Sequence, residues 1–232
     1  NIIVHGHVPV LSDAIATASQ DPELIKFAKE KGANGINLAG ICCTALEVLI
    51  RKGVNVAGNF LQQELAIITG AVDLMIVDLQ CVMPSLPDIA SCFHTKIIST
   101  NPRAHFPGSE YIEFKEEKGM EIAREIIKKG IENFPRREKS RVHIPKDSQE
   151  LIGGFTTEYV FKMLGGKYRF TFRPLNDGII TGRIRGVAGV VGCDNPKLKS
   201  GQTHITLVKE LIKNDILVVQ TGCAATACAK EG

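Results

Sequence analysis

The chain has 232 residues, 44% of them hydrophobic, which is enough to bury a substantial core and excludes intrinsic disorder. Its 28 basic and 25 acidic residues nearly balance at +3, and the basic run PRREKSR (135–141) lacks interleaved aromatics, which argues against a nucleic-acid partner. No apolar run approaches the ~20 residues of a membrane span and no secretory leader is legible, so a cytoplasmic location is expected.

In chain order, NIIV (1–4) predicts a strand, and SDAIATASQDPELIKFAKEKG (12–32) predicts one helix with Ser12 as N-cap and Gly32 as its stop. INLAGI (36–41) is a short apolar strand, followed by a helix over TALEVLIRKG (44–53), a strand over VNVAG (54–58) and a helix over LQQELAIITG (61–70). DLMIVDL (73–79) and KIIST (96–100) read as strands, and EEKGMEIAREIIKKGIENF (116–134) as a long amphipathic helix. Repeated β–α units of this kind imply an α/β fold, a parallel sheet with helices on both faces.

PRREKSRVHIP (135–145), with its prolines and charges, reads as an interdomain linker. Beyond it come a helix near 156–164, an irregular glycine-containing stretch, a strand at 185–192, a helix at 204–215 and a strand at 216–220. The expected division is a domain at 1–140 and the first part of a second, incomplete α/β domain at 141–232. The chain opens on Asn1 rather than methionine and stops at Gly232, shortly after a cysteine, so an excised piece of a longer protein is expected.

Seven cysteines is an odd number, and none forms a C-x-x-C pair, so neither a disulfide framework nor a zinc ribbon explains them. Their positions relative to the strands are informative. His5 and His7 follow NIIV, Cys42 and Cys43 follow INLAGI, Cys81 follows DLMIVDLQ, Cys193 follows VAGVVG and Cys223 follows ILVVQTG. Parallel strands share one carboxyl edge, where α/β sheets bind ligands, so these groups converge although they are distant in sequence. Four thiolates and an imidazole suit iron–sulfur chemistry or another soft-metal site, and exceed what one tetrahedral zinc takes.

Neighbours on one loop seldom both ligate, and Cys42 is read as packing. Cys92 and Cys228 lie inside predicted helices and are read as core or ligand-supporting residues. His94, His105, His143 and His204 stand alone and are read as structural. No dinucleotide fingerprint, phosphate loop or nucleophile elbow is present.

HGHVPVLSD (5–13), GICCTALEVLIRKG (40–53), QCVMPS (80–85), GCDNPK (192–197) and TGCAATACAKEG (221–232) together resemble the catalytic subunit of nickel–iron carbon monoxide dehydrogenases, in that family's order and near its spacing. The resemblance covers the whole chain and implies a middle Rossmann-like domain plus the start of the C-terminal one. It departs at Ala45–Leu46, where the family commonly has glycine and asparagine, and at Val8, which is often polar. The family's active-site nickel–iron–sulfur cluster sits between two Rossmann-like domains. Carried over by motif, His7 and Cys43 hold the iron outside the cubane core, while Cys81, Cys193 and Cys223 hold the three irons of that core. The nickel-ligating cysteine and the acid–base lysine are expected beyond Gly232, so no catalytic residue is assigned within the chain. The [4Fe–4S] relay clusters are expected only in a missing N-terminal region.

The implied reaction is oxidation of carbon monoxide with water to carbon dioxide, two protons and two electrons. The resemblance implies a ferredoxin-like electron acceptor and a homodimeric parent, and admits an acetyl-CoA synthase as partner. It also implies that these 232 residues alone are inactive. Two alternatives stand beside it. A hybrid cluster protein, a hydroxylamine reductase, shares related loops, although its second loop supplies a glutamate where this chain has Cys42–Cys43. A non-catalytic metal-binding module that kept the scaffold is the other.

Overall fold

The computed structural model describes residues 1–147, 154–165 and 171–231, and divides into two compact units, Asn1–Ser148 and Gln149–Gly232. The first unit is built on strands β1 (Ile2–His5), β2 (Leu38–Ile41), β3 (Asn55–Gly58), β4 (Leu74–Val77), β5 (Lys96–Ser99) and β6 (Glu110–Tyr111). Between them run helices α1 (Pro9–Ala18), α2 (Pro22–Glu30), α3 (Cys43–Glu47), α4 (Gln63–Ile68) and α5 (Leu86–Ser91), with α6 (Gly119–Asn133) after β6. All pairings are parallel, and the spatial order is β3-β2-β1-β4-β5-β6, that of a Rossmann-like sheet.

The near-continuous apolar strands follow from burial on both faces. Ile2, Val4, Leu74 and Ile76 pack against Leu11 and Ile15 of α1 and Ile122, Ile126 and Ile127 of α6. Ile3, Met75 and Val77, one residue out of step, pack on the other face against Ile67 of α4 and Leu86 of α5. This is the period-two alternation of a strand expressed entirely in hydrophobic side chains.

The single helix expected over 12–32 is two. Ser12 is fully buried within α1 and caps nothing, whereas Asp21 is the N-cap of α2, its side chain accepting from the Glu23 amide at 2.9 Å. Pro22 at the first helical position lacks an N–H and cannot continue the preceding helix, so the chain breaks there. The expected helices at 44–53 and 61–70 are each part 3-10: Leu49–Lys52 follows α3, and Phe60–Gln62 precedes α4. Residues 135–145, expected as a linker, are fastened to the first unit, with Arg137 Nε donating to Asp73 at 3.1 Å and the His143 amide to the Thr69 carbonyl at 2.8 Å.

The second unit carries α7 (Thr157–Leu164), α8 (Arg173–Ile180), β7 (Gly186–Val191), α9 (Gln202–Lys213), β8 (Ile216–Thr221) and α10 (Gly222–Ala229). Strands β7 and β8 are parallel neighbours in continuous register from Gly186 opposite Ile216 to Val191 opposite Thr221. Val190, Val208 and Ala224 form the core of this β–α–β unit. The stretch expected to be irregular contains α8, which begins Arg173–Pro174, proline taking an early helical position; its residues 166–170, like Gly232, lie outside the described residues. No helix among the described residues is long and apolar enough to cross a membrane.

Candidate metal centre

The strand order reverses between β1 and β4, and the crevice at the carboxyl ends of two such strands is where α/β sheets take ligands. There the two chains are cross-tied by one carboxylate. Asp78, 2% exposed, accepts the His7 amide at 2.9 Å, the Val8 amide at 2.7 Å and the amide of Leu79. Burial pushes the Asp78 carboxyl above its ordinary range, and the three amides oppose that push. The approach requires Gly6, whose φ is +151° and whose hypothetical Cβ would lie 1.8 Å from Asp78 Oδ1.

His7 is held at both ends. Its ring Nδ1 lies 2.8 Å from the Leu79 carbonyl, which can only accept, so in the neutral ring Nδ1 carries the proton and Nε2 the lone pair. That Nε2 lies 3.7 Å from Cys81 Sγ, bringing together two of the residues singled out in the sequence. Cys81 sits on a strained turn in which both Gln80 (φ 60°) and Cys81 (φ 52°) are left-handed. Gln63, fully buried at the start of α4, grips this turn: its amide donates to the Cys81 carbonyl at 2.8 Å and its oxygen accepts the Met83 amide at 3.1 Å.

The loop after β2 lies alongside. The Thr44 amide donates to the Gly6 carbonyl at 3.1 Å, seating half-buried Cys43, the first residue of α3, beside the β1 loop. Cys42 adopts φ 67°, ψ −152°, a region that essentially only glycine visits, and is buried with its Sγ 3.3 Å from His5 Nε2. It packs in the hydrophobic cluster with Ile3, Ile41 and Met75. His5 is 1% exposed; burial, then the neighbouring His7, lowers its pKa to about 4, so the ring is neutral near neutral pH. The His5 Nδ1 makes no hydrogen bond of normal geometry. Three of the four non-glycine residues with positive φ among the described residues, Cys42, Gln80 and Cys81, therefore lie at this one edge of the sheet.

In the second unit, Cys193 follows β7 and Cys223 follows β8, and the Ala224 amide donates to the Gly192 carbonyl at 3.2 Å, joining the two loops. Cys193 is exposed and Cys223 is 2% exposed. Asp194 closes the Cys193 loop on itself, accepting from the Asn195 amide at 2.9 Å and from Ser200 Oγ and the Gly201 amide at 2.8 Å each. Cys228 packs on the core of this unit, with Gln220 Nε2 3.3 Å from its Sγ. Cys92 does not match its expected core or supporting role: α5 is only six residues long, and Cys92 lies exposed at its C-cap.

Within each unit the sequence-predicted residues thus meet at one sheet edge, His7, Cys43 and Cys81 in the first and Cys193 and Cys223 in the second. Among the described residues, no three His, Cys, Asp or Glu side chains are close enough to hold a single metal ion. In the first unit the donor chemistry fits an iron–sulfur group: soft sulfurs, and an imidazole whose Nδ1 is tied to a carbonyl. Sequence reasoning passed over Asp78, Gln63 and Asp194. The signal for Asp78 was an acid placed directly after the buried run Leu74–Val77, where a charge must find donors.

The whole chain, residues 1–232, matches the model of the Prismane/CO dehydrogenase family. It is 54% identical over 232 residues to carbon monoxide dehydrogenase 1 of Methanosarcina mazei and 44% identical over 233 residues to carbon monoxide dehydrogenase of Rhodospirillum rubrum. Each match takes in 100% of this chain and 36% of the relative, so the chain spans about a third of the length of these proteins. Among solved structures, a Ni-free carbon monoxide dehydrogenase from Thermococcus sp. AM4 superposes with a TM-score of 0.88 at 54% identity, covering 100% of this chain and 36% of that one. Carbon monoxide dehydrogenase IV from Carboxydothermus hydrogenoformans gives a TM-score of 0.88 at 51% identity, covering 100% and 37%. With its sheet order, its paired loops and a match along its full length, the chain belongs to the Prismane/CO dehydrogenase family.

Proposed function

We propose that this chain is the part of a carbon monoxide dehydrogenase that supplies five ligands to its nickel–iron–sulfur cluster, and that it is inactive without the remainder of the parent. The observation that carries this reading is the meeting of His7 Nε2 and Cys81 Sγ at 3.7 Å where the strand order reverses, in a chain 54% identical to a carbon monoxide dehydrogenase. In this reading His7 and Cys43 hold the iron outside the cubane core, and Cys81, Cys193 and Cys223 hold the irons within it. The unit Asn1–Ser148 is the middle Rossmann-like domain and Gln149–Gly232 the beginning of the next. When bound, the cluster supplies the two-electron oxidation of carbon monoxide with water to carbon dioxide and two protons.

The chain's own residues prepare for that chemistry. The Leu79 carbonyl favours Nδ1 as the protonated nitrogen of the neutral His7 ring, which leaves Nε2 as the ligating one. Asp78 and Gln63 fix the backbones that carry His7 and Cys81, so the donors are in place before the metal arrives. Nickel ligation, proton transfer and the [4Fe–4S] relay are assigned to sequence outside these 232 residues. A ferredoxin-like acceptor, a homodimeric parent and a cytoplasmic location complete the reading. An acetyl-CoA synthase partner is supported by 43% identity to the beta subunit of the carbon monoxide dehydrogenase/acetyl-CoA synthase of Moorella thermoacetica.

The test is anaerobic reconstitution of the full-length parent, followed by iron, nickel and sulfide analysis and by carbon monoxide-dependent viologen reduction. Nickel together with iron, sulfide and activity is expected. Iron without nickel would move the parent to hybrid-cluster chemistry, and no metal at all to a non-catalytic module. Viologen reduction by the 232-residue chain alone would overturn its assigned inactivity.

A further inference from the structure

Three backbone amides, from His7, Val8 and Leu79, converge on the two oxygens of Asp78. All of them donate, and a carboxylate is the side-chain group of this size whose two oxygens both accept. Asparagine in the same shape would turn an NH2 group toward at least one donor. The carboxylate is 2% exposed and its oxygens face amides from both loops, so it is not a group that reaches a substrate. Its geometric effect falls on His7. The His7 main chain is anchored to Asp78 directly. The His7 ring is anchored indirectly, because the Leu79 residue that donates its amide to Asp78 also offers the carbonyl that accepts from Nδ1.

We infer that Asp78 is a positioning residue for His7: by clamping the His7, Val8 and Leu79 amides it selects the Nδ1-protonated tautomer and holds Nε2 beside the Cys81 thiol. The inference rests on the proposed role of His7 as an iron ligand only for its metal readout; the tautomer readout is independent of it. Gly6 belongs to the same device, since any Cβ there would occupy the place of the Asp78 carboxylate.

The experiment uses the anaerobically prepared full-length protein as wild type, Asp78→Asn and His7→Ala, each checked for native circular dichroism. In metal-free protein with 15N-labelled histidine, the His7 ring signals are identified by their loss in His7→Ala. Wild type is expected to show a single Nδ1–H tautomer, and Asp78→Asn a mixture in which the Nε2–H form is populated. In iron-loaded protein, Mössbauer spectra of Asp78→Asn are expected to keep the cubane irons while the affinity for the outer iron falls about 10- to 100-fold, the usual effect of losing a group that orients a ligand. Wild-type ring signals in a folded Asp78→Asn protein overturn the inference, as does an Nε2–H tautomer in wild type. If His7→Ala keeps the outer-iron signal, the ligand reading fails while the tautomer comparison still decides the role of Asp78. Should Asp78→Asn not fold, Val8→Pro deletes one of the three donors and leaves the carboxylate; a smaller shift of the same kind is expected, and unchanged ring signals overturn the inference.

Discussion

Gln63 holds Cys81 by its backbone: the side-chain amide donates to the Cys81 carbonyl at 2.8 Å while the side-chain oxygen accepts the Met83 amide at 3.1 Å. The residue is fully buried and its partners half-buried, so removing it leaves these backbone groups without their acceptor and donor. Gln63→Ala is expected to cost about 3 kcal/mol in chemical denaturation, from two or three buried polar groups left unpaired at roughly 1–3 kcal/mol each. The variant is also expected to alkylate faster at Cys81, because the left-handed turn that carries the thiol loses its clamp. Unchanged stability and unchanged alkylation would refute the role given to Gln63.

Cys42 and Cys43 are adjacent in sequence and opposite in expected effect. Cys42 is buried against His5, whereas Cys43 opens α3 beside the β1 loop. In the full-length parent, Cys42→Ala is expected to retain iron near the wild-type amount and lose about 1–2 kcal/mol of stability through the vacated sulfur. Cys43→Ala is expected to lose the outer iron while unfolding at nearly the wild-type midpoint. Metal analysis of the pair separates packing from ligation, and equal iron loss in both would contradict the assignment.

Asp73 gives the fold a dependence on acid. Burial pushes its carboxyl up, but hydrogen bonds from His94 at 2.9 Å and from Arg137, joined by the charged amino group of Asn1, more than reverse this and bring it to about 2 from an ordinary 3.8. The unfolded chain therefore binds the proton first as pH falls. The stabilisation is complete above about pH 4 and is lost progressively towards pH 2. Allowing for solvent at the edge of the Arg137 contact, the loss is about 1–2 kcal/mol. Denaturation midpoints across that window should fall less steeply in Asp73→Asn, which starts lower, than in wild type.

Asp194 folds the Cys193 loop by accepting three hydrogen bonds, from Asn195, Ser200 and Gly201. Asp194→Ala is expected to destabilise the second unit by about 1–3 kcal/mol, chiefly because the buried Gly201 amide loses its acceptor. Limited proteolysis should then cut near 193–201 before it cuts elsewhere. A wild-type digestion pattern would refute this.

The sheet was legible because its central strands are buried on both faces: Ile2–Val4 and Leu74–Val77 have no polar residue. The metal-binding candidates were legible because each follows a short apolar run that forms a strand. The break between α1 and α2 was not. Ser12 and Asp21 are both good capping types, and only the neighbouring Pro22 tells which one caps, a choice that the continuous apolar periodicity from Leu11 to Ala28 conceals. Cys92 was misplaced because a thiol in a helix reads as buried until the helix is known to end at Ser91. Asp78 and Gln63 escaped notice for another reason. Their roles lie in gripping backbone 70 or 20 residues away, and backbone partners leave no mark on side-chain pattern.

The 1.8 Å separation between a hypothetical Gly6 Cβ and Asp78 Oδ1 also bears on how this sequence can change over time. Any side chain at position 6 would have to displace the Asp78 carboxylate. A side chain can enter position 6 only after the acid at position 78 has given way, so the order of any two such changes is fixed.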